Sequence, residues 1–529
     1  MKPSVPRWST RLFLCGLFLS GCAREDHRAD LVFLNGTEPE SLDPAIITGQ
    51  PEGRLAAALF EGLAARDAQA RVVPGAAERW EISKDGKRYV FHLRAEARWS
   101  NGERLSAHDF VGSWRRALAP ATAAEYAYQL FYLENAEAFN AGKITDFSRV
   151  GVRALDVRTL EVRLANPTPF FLDLCGFPTL MPVHLPTIER FGDDWIKPGR
   201  MVSNGAYTLD EWRINHRIRL RANPHYWDRD RVSLQTVDVL PTSQANTAYN
   251  LYHSGVADLI LDKGLIPSML LDVLRRKPDF HISPFLGNLF YRFNVTRKPF
   301  NDARVRKAFA LAIDKKRIVE KVTRAGEQIA DSLVPPGIPG YSPPPGLGRD
   351  PEKARQLLAE AGFPDGRGFP AVSLLYNKSE QNEAIATEIQ DMLQKQLGIR
   401  VQLTQQEWKV YLNSMSSLDY DFCRASWVGD YNDPNTFLDM FVTGGGNNRT
   451  GWSHPKYDAL IRAAEEEVNP SKRMEIFRQA ETILCGEELP IVPLYYYVGI
   501  QFYNGAKITG IRPNVLDDHP LKYIKRVAR

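Results

Sequence analysis

Hydrophobic and polar positions in the C-terminal half of the chain switch between strand-like and helix-like spacing. Residues 370–377 (PAVSLLYN) form an apolar run typical of a buried strand, and β-branched residues return at 399–403. Between these runs, residues 383–397 repeat apolar side chains at helical spacing, as Ile385 and Ile389 illustrate. The order predicts a β-α-β unit, and therefore an α/β fold.

Capping residues mark two further predicted helices. Asp350 and Pro351 fit the N-cap and first position of one helix, and Gly362 fits its end. A second helix is predicted to begin at residues 301–302 and to bury the face that carries Phe309. Both helices precede the β-α-β unit, which extends the α/β pattern toward the middle of the chain.

Two further segments and the length of the chain indicate how it is divided into domains. Residues 80–94 predict two strands around a Lys84-Asp85-Gly86 turn, so the N-terminal half contains short strands. Residues 332–351 contain seven prolines, which predicts a stiff surface loop or a linker between domains. A chain of 529 residues is too long for one hydrophobic core, so we expect at least two lobes.

The first residues have the order of a secretory signal. Three basic residues precede the eight-residue apolar run LFLCGLFL (12–19), and Ser20-Gly21-Cys22 follow. The run is too short to span a bilayer. Residues 19–22 resemble the bacterial lipobox, which implies that Cys22 is acylated and anchors the mature chain to a membrane. The alternative is an ordinary signal peptide in which this cysteine is incidental.

Charge and cysteine content exclude several partners and cofactors. Removing residues 1–21 leaves 64 basic and 63 acidic side chains, a net charge of about +1, which predicts no nucleic-acid partner. Beyond Cys15 and Cys22, only Cys175, Cys423 and Cys485 are present. They form either one disulfide and a free thiol or three small core residues. Their spacing fits no metal site, and we expect no cofactor.

Catalytic motifs are absent from the sequence. It contains no HExxH, GxSxG or P-loop motif, and no GxGxxG follows a predicted strand. His108 and Asp109 stand where a helix is expected to begin, so capping and packing explain them better than acid-base chemistry. We therefore expect a binding protein and not an enzyme, with an exported hydrolase as the alternative class.

Aromatic residues make up 11% of the chain and suggest a ligand surface in its C-terminal part. In YYYV (495–498), strand alternation sends neighbouring side chains to opposite faces. Most of these rings are expected in the core, but Tyr and Trp also need polar partners, which a wet cleft supplies.

Nine segments, in order, closely resemble the periplasmic oligopeptide-binding proteins of ABC importers, which are family 5 extracellular solute-binding proteins. They are NGTEPESLDP (35–44), LFEGL (59–63), 73–94, 97–118, NGAYTL (204–209), NPHYWD (223–228), 300–318, CRASWVGDYNDPNTF (423–437) and IVPLYYYV (491–498).

The resemblance implies an α/β clamp of two lobes with a hinge and an extra domain on the N-terminal lobe. It implies a monomeric receptor on the periplasmic side of a bacterial membrane, which binds short peptides between the lobes and delivers them to the membrane subunits of an ABC permease. The expected division is a lipoprotein signal peptide at 1–21, lobe I at 22–60, 184–283 and 498–529, the extra domain at 61–183, and lobe II at 284–497.

The resemblance also implies roles for particular residues. Asp430, in the WxxDYN motif, is expected to accept the peptide α-ammonium, and Trp427 to form a wall of a side-chain pocket. Arg424 is expected to supply positive charge for the ligand carboxylate or for acids in the cleft. The backbones of Ser426 and Val428 are expected to pair with the peptide. A salt bridge between Arg424 and Asp430 at a loop is the alternative.

Further positions complete the expected site. Gln50 is expected to pair with the ligand from the N-terminal lobe, and Tyr126 and Tyr496 to line the cleft, with Trp408 as another ligand-facing aromatic. Asn382 stands where some family members place a histidine for the ligand carboxylate.

Departures from the family pattern leave the preferred peptide open. A second arginine of some members is replaced by Met415, and a cysteine pair by Val428 and Gly287. A receptor for murein peptides or dipeptides on the same fold is therefore the alternative within the family.

Overall fold

The computed structural model describes residues 27–527, so the predicted signal segment and Cys22 lie outside the described residues. The strands are β1 (Leu31–Leu34), β2 (Ala64–Arg66), β3 (Val72–Pro74), β4 (Ala77–Ile82), β5 (Arg88–Leu93), β6 (Val152–Ala154), β7 (Thr159–Arg163), β8 (Tyr207–Arg213), β9 (Arg217–Ala222), β10 (Thr236–Leu240), β11 (Leu259–Ile260), β12 (Phe280–Phe293), β13 (Gln328–Ile329), β14 (Val372–Asn377), β15 (Val401–Gln406), β16 (Phe422–Val428), β17 (Ile491–Tyr503), β18 (Ile508–Thr509) and β19 (Lys525–Arg526). The α-helices are α1 (Gln50–Leu59), α2 (Ala107–Leu118), α3 (Ala136–Asn140), α4 (Phe171–Leu174), α5 (Leu185–Phe191), α6 (Ala245–His253), α7 (Leu271–Leu274), α8 (Ala303–Ala312), α9 (Lys315–Arg317), α10 (Pro351–Glu360), α11 (Glu380–Leu397), α12 (Trp408–Ser416), α13 (Asn435–Leu438), α14 (Pro455–Glu466) and α15 (Pro470–Thr482).

One large sheet runs through both halves of the molecule in the order β15-β14-β16-β12-β17-β11-β1-β10-β9-β8, with β13 added to β17. Strands β12 and β17 are its longest members and pair antiparallel along most of their length. On one side of this pair, β1 runs parallel to β10 and β11. On the other, β14 runs parallel to β15 and β16. Two α/β units are thus joined through a shared strand pair.

The local predictions for the C-terminal half are confirmed. Strand β14, helix α11 and strand β15 form the predicted β-α-β unit, with β14 and β15 parallel. Asp350 caps α10 by accepting a hydrogen bond from the Lys353 backbone N–H at 3.0 Å. Helix α8 buries the predicted stripe, including Phe309. Sequence spacing and caps were sufficient here because these contacts are local.

A separate four-stranded antiparallel sheet, β4-β5-β7-β6, lies between residues 77 and 163. It packs with α2 and α4 around a core of its own, in which Trp114 and Phe171 are fully buried. The predicted hairpin is confirmed as β4 and β5, with Gly86 at positive φ in the turn. Asp109 forms a capping box with Ser106 at the start of α2, whereas His108 is exposed.

Residues 332–350 contain no helix or strand, as predicted, but this segment is not simply a surface loop. Leu333 and Val334 are fully buried in the core that also contains Phe437. The side-chain amide of Asn288 donates hydrogen bonds to the carbonyls of Ser332 and Leu333 at 3.0 and 2.7 Å. The surface prediction was wrong for this part because apolar side chains between the prolines anchor the backbone inward.

Cys175, Cys423 and Cys485 are buried and unpaired, which confirms the core alternative over a disulfide. Among residues 27–527, no helix has the length and apolar character needed to cross a membrane. Within the same residues, no group of three or more His, Cys, Asp or Glu side chains is arranged to hold a metal ion.

Candidate functional site

A cavity of about 540 Å³ lies between the two halves of the large sheet. Five residues that the sequence singled out line its wall: Gln50, Tyr126, Ser426, Val428 and Asp430. These residues come from α1, from the segment after α2 and from β16 with its following loop. We call this cavity the cleft.

Strand β16 presents an open backbone edge to the cleft. Its first edge pairs with β12, and its second edge pairs with β14 only at Phe422 and Cys423. The Gly429 N–H donates to the Leu286 carbonyl on the β12 side at 2.8 Å. Because backbone groups alternate along a strand, those of Ser426 and Val428 point away from β12. Within the described chain, no strand covers this second edge beyond Cys423.

Asp430 follows β16 and is half-buried. Its Oδ2 atom accepts hydrogen bonds from Gln129 Nε2 at 3.0 Å and from the Tyr128 hydroxyl at 3.4 Å. Burial raises the pKa of Asp430 to about 7, an effect that these two bonds and the positive charge of Arg66 reduce. No salt bridge joins Asp430 to Arg424 in the part of the chain that the structure describes, so the predicted alternative of a mutual ion pair is not observed. Asp430 is a half-buried acid whose hydrogen-bond partners are neutral.

Trp427 lies on the opposite face of β16 from Ser426 and Val428, as strand alternation requires. It lines a second cavity of about 230 Å³, which also contacts Asp430. The indole N–H donates to Thr436 Oγ1 at 3.4 Å. Trp427 is therefore a wall of a pocket next to the acid and does not line the main cleft.

Arg424 and Lys263 both contact the side chain of Tyr497. Arg424 Nη2 donates to the Tyr497 hydroxyl at 3.0 Å, and Lys263 Nζ lies 3.5 Å from the centroid of the Tyr497 ring. Lys263 and Tyr497 line the cleft. Gly287 makes room for this ring, since a Cβ atom there would lie 2.7 Å from Tyr497 Cδ2. Gly287 and Val428 are register partners, as their correspondence to a cysteine pair in relatives implied.

Arg66, which the sequence did not indicate, also lines the cleft. Its Nε and Nη2 atoms are buried without a hydrogen-bond partner. The nearest carboxylates are those of Asp173 and Asp518, each 3.9 Å away. Arg66 is the last residue of the short strand β2, so nothing in its local sequence pattern distinguished it from a surface arginine.

Two predicted site residues, Tyr496 and Asn382, lie elsewhere. The Tyr496 hydroxyl donates to the Ser332 carbonyl at 3.0 Å on the other face of β17, so Tyr497 takes the place in the cleft that was predicted for Tyr496. Asn382 is buried at the start of α11, where its amide donates to the carbonyl and side-chain oxygens of Asn377 at 3.1 and 3.0 Å. Trp408 is the first residue of α12, and its side chain lies outside what the structure describes.

Comparison with known protein families shows the family to which this chain belongs. The family model for the middle part of bacterial extracellular solute-binding proteins, family 5, matches residues 71–449. The chain belongs to family 5 of these solute-binding proteins. The fold prediction, a two-lobed α/β periplasmic binding protein, is thereby confirmed.

Several curated relatives align with most of this chain and most of their own length. The periplasmic oligopeptide-binding protein OppA of Salmonella typhimurium is 39% identical over 480 residues, 88% of this chain and 87% of the relative. The probable deoxycholate-binding periplasmic protein YgiS of Escherichia coli is 37% identical over 472 residues, 87% of each chain. The periplasmic murein peptide-binding protein MppA of Escherichia coli is 36% identical over 513 residues, 94% of each chain.

Solved structures give the same fold. An oligopeptide-binding protein of Borrelia burgdorferi aligns with a TM-score of 0.83 at 34% identity, over 94% of this chain and 100% of its own. OppA of Haemophilus influenzae, solved in complex with the peptide RPPGFSPFR, aligns with a TM-score of 0.80 at 31% identity, over 95% of this chain and 100% of its own. The relatives are binding proteins and not enzymes.

Proposed function

We propose that this protein is an extracytoplasmic receptor that binds short peptides in the cleft and delivers them to an ABC permease. Relatives that carry the names of oligopeptide and murein peptide receptors support the ligand class. Another relative carries the name probable deoxycholate-binding periplasmic protein, and deoxycholate has no peptide backbone. The choice between a peptide and a bile salt as ligand therefore has to rest on the residues that line the cleft.

The observation that carries the proposal is the open edge of β16. Backbone donors and acceptors at Ser426 and Val428 face the cleft without a strand partner among the described residues. An extended peptide completes such an edge by main-chain hydrogen bonds, whatever its side chains are. A bile salt has no row of amide groups to do so. Low sequence selectivity follows from this mode of binding.

Asp430 gives the peptide a direction. Its carboxylate lies at the end of the open edge and has no ion-pair partner within the described chain, and a free peptide brings an ammonium. A buried ammonium needs a buried counter-charge, so the peptide N-terminus belongs at Asp430. Gln50 and Tyr126 line the opposite wall, and Trp427 borders the pocket next to the acid. We assign no ligand contact to Asn382, Trp408 or Tyr496.

We propose the lobe boundaries expected from the sequence, with the hinge at the two crossings near residues 283 and 498. The register of β12 against β17 shifts between Pro284 and Asn288, next to the pairing of Pro284 with Val498. A register shift in the long strand pair that both halves share is a place where a sheet can bend. The small sheet at 61–183 would then move with lobe I.

The mature chain is proposed to begin at Cys22, lipid-modified and held on the periplasmic side of the membrane as a monomer. This location brings the receptor to the permease by confining both to one surface. The lipobox at residues 19–22 supports the anchor.

The direct test is to identify what the purified protein carries. Ligand released by denaturing the protein should be a mixture of short peptides by mass spectrometry. Each peptide should be recovered intact after incubation with the protein, because a receptor does not cleave its ligand. Release of a bile salt or another non-peptide as the sole ligand, or cleavage of an added peptide, would reject the proposal. Cleavage would favour the exported hydrolase.

A further inference from the structure

Two cations share the Tyr497 ring at the wall of the cleft. Lys263 places its ammonium over the ring face, and the Phe285 ring centroid lies 4.9 Å from the same nitrogen. Arg424 donates to the hydroxyl of this ring. Two positive charges so close together repel each other, and an anion between or beside them would relieve that repulsion.

The Lys263 ammonium has no anion of its own. Within residues 27–527, no hydrogen bond or ion pair engages it. The nearest acids are directed elsewhere: Asp262 accepts from the Gly264 N–H at 2.8 Å and lies 3.6 Å from Arg54 Nη1. Asp517 lies 3.1 Å from His519 and accepts a hydrogen bond from Gln501. Three N–H donors on Lys263 are therefore available to a ligand.

This ammonium is in an unfavourable setting without an anionic partner. Burial lowers the pKa of Lys263 to about 8, although Asp517, Asp262 and Glu327 act in the opposite direction, and Arg424 lowers it further. At neutral pH the group is still mostly protonated, because its pKa lies above 7. A buried charge held only by aromatic faces gains most from a carboxylate that enters the cleft.

We propose that Lys263, set against Tyr497, is the contact for a carboxylate of the bound peptide and makes the receptor selective for peptides that present one. The inference rests on the proposed peptide-binding function and adds the residue that reads the ligand's negative charge. The carboxylate belongs either to the peptide C-terminus or to an acidic side chain, which have the same chemistry.

Lys263, and not Arg424, makes this contact. Lys263 lines the cleft, whereas Arg424 does not. Arg424 donates to the Tyr497 hydroxyl, and its Nε atom is buried without a hydrogen-bond partner in the described chain. Arg424 therefore adds positive potential behind the aromatic wall, and its charge raises the selectivity for an anion without touching it.

The test measures four peptides against the full mature protein by titration calorimetry. Trialanine and trialanine amide, both with free N-termini, differ only at the C-terminal carboxylate. Ala-Glu-Ala amide and Ala-Gln-Ala amide differ only at a side chain. Lys263→Met removes the charge and keeps the side-chain length, Lys263→Arg restores a charge, and Lys507→Met at an exposed site is the matched control.

We expect Lys263→Met to weaken binding of the carboxylate member of one pair by about 10- to 100-fold and to leave its neutral partner within about twofold. The affected pair identifies the source as the C-terminus or the side chain. Lys263→Arg should recover most of the loss, and Lys507→Met should behave as wild type. Circular dichroism of each variant checks that it is folded.

Two outcomes separate failure of this inference from failure of the proposed function. If wild type binds the peptides and Lys263→Met weakens both members of each pair by the same factor, or weakens neither, the carboxylate contact is refuted and peptide binding stands. If wild type binds none of the four, the proposed function fails for these probes and the inference fails with it.

Proton uptake on binding is a second measurement, and it reports the charge of Lys263 directly. Pairing with a carboxylate raises the pKa of Lys263, so binding at pH 8.5 should take up protons. The uptake appears as a dependence of the measured enthalpy on the ionisation enthalpy of the buffer. The peptide α-amino group also takes up protons at this pH, so uptake should be smaller in Lys263→Met than in wild type but not zero. Equal uptake in the two proteins would contradict the assignment.

Discussion

Gln129 donates a hydrogen bond from its side-chain amide to the carboxylate of Asp430, with 3.0 Å between Nε2 and Oδ2. The donor lies between α2 and α3 and the acceptor follows β16, and both line the smaller cavity beside the cleft. A neutral amide orients the carboxylate but does not balance its charge. The ammonium of a peptide supplies the missing charge, and this relationship determines the pH behaviour of the site.

Peptide affinity should decrease as pH falls below about 7. Burial raises the pKa of Asp430 to about 7, so the acid holds its proton in mildly acidic solution and must lose it to pair with an ammonium. Well below this pKa, each pH unit should cost about tenfold in affinity. Titration calorimetry with trialanine from pH 5 to 7.5 measures the slope. Asp430→Asn should have a flat profile, and an equally steep profile in that variant would assign the effect to another group.

The same pKa affects the stability of the protein without peptide. The raised pKa means that the folded state binds more protons than the unfolded state between about pH 4, the ordinary aspartate value, and pH 7. Stability from this residue therefore falls as pH rises through that window. Thermal unfolding should show Asp430→Asn gaining stability relative to wild type from pH 5 to 7.5. The exposed acid Asp419, changed to Asn, should show no such trend, and a constant difference for Asp430→Asn would contradict the raised pKa.

Contact across the cleft should favour closure of the clamp. The rings of Phe170 and Tyr431 are stacked with centroids 4.0 Å apart, and they belong to opposite sides of the cleft. Such a pair contributes about 0.5–1.5 kcal/mol, so Phe170→Leu should weaken peptide binding by about 2- to 10-fold without touching the ligand. The matched control is Phe147→Leu, which changes one ring of the Phe139–Phe147 pair within residues 61–183.

Small-angle scattering distinguishes closure from simple loss of packing. Wild type should have a smaller radius of gyration with saturating peptide than without it, since closure brings the lobes together. Phe170→Leu should have a larger radius than wild type without peptide. A radius that is the same in all four samples would contradict a hinged clamp.

The Cys22 anchor has its own test. Wild type expressed with its full N-terminal segment should partition into the detergent phase of a cloud-point extraction, because an acyl chain adds buried methylene groups. Cys22→Ala should remain in the aqueous phase. Cys15→Ala, a cysteine within the apolar run, should partition as wild type, and detergent partitioning of Cys22→Ala would reject the lipid anchor.

Local physics made much of the fold predictable. Each element of the β-α-β unit has its own apolar period along the chain, and the Asp350 cap and the hairpin at Gly86 depend on residues a few positions apart. The buried part of the proline-rich segment was missed because its burial depends on Phe437 and other distant residues. Spacing along the chain does not reveal such contacts.

The residues of the candidate site also divide into those that a local motif indicated and those that it did not. The residues from Ser426 to Asp430 form one stretch, and its motif indicated them together. Lys263 and Arg66 reach the cleft, and Gln129 reaches Asp430, from separate segments without a local motif. The choice between Tyr496 and Tyr497 requires the face of β17 that meets the cleft, and period-two alternation predicts two faces without saying which one it is.

The measurement that tests the central claim most directly is a double-mutant cycle at Asp430. The claim is that its carboxylate receives the peptide α-ammonium, and breaking a buried ion pair costs about 3–5 kcal/mol. Titration calorimetry compares wild type and Asp430→Asn with trialanine and with N-acetyl-trialanine at pH 7.5. We predict that Asp430→Asn weakens trialanine by about two to three orders of magnitude, while the acetylated peptide binds wild type poorly and loses little more. A coupling energy near zero would contradict the account.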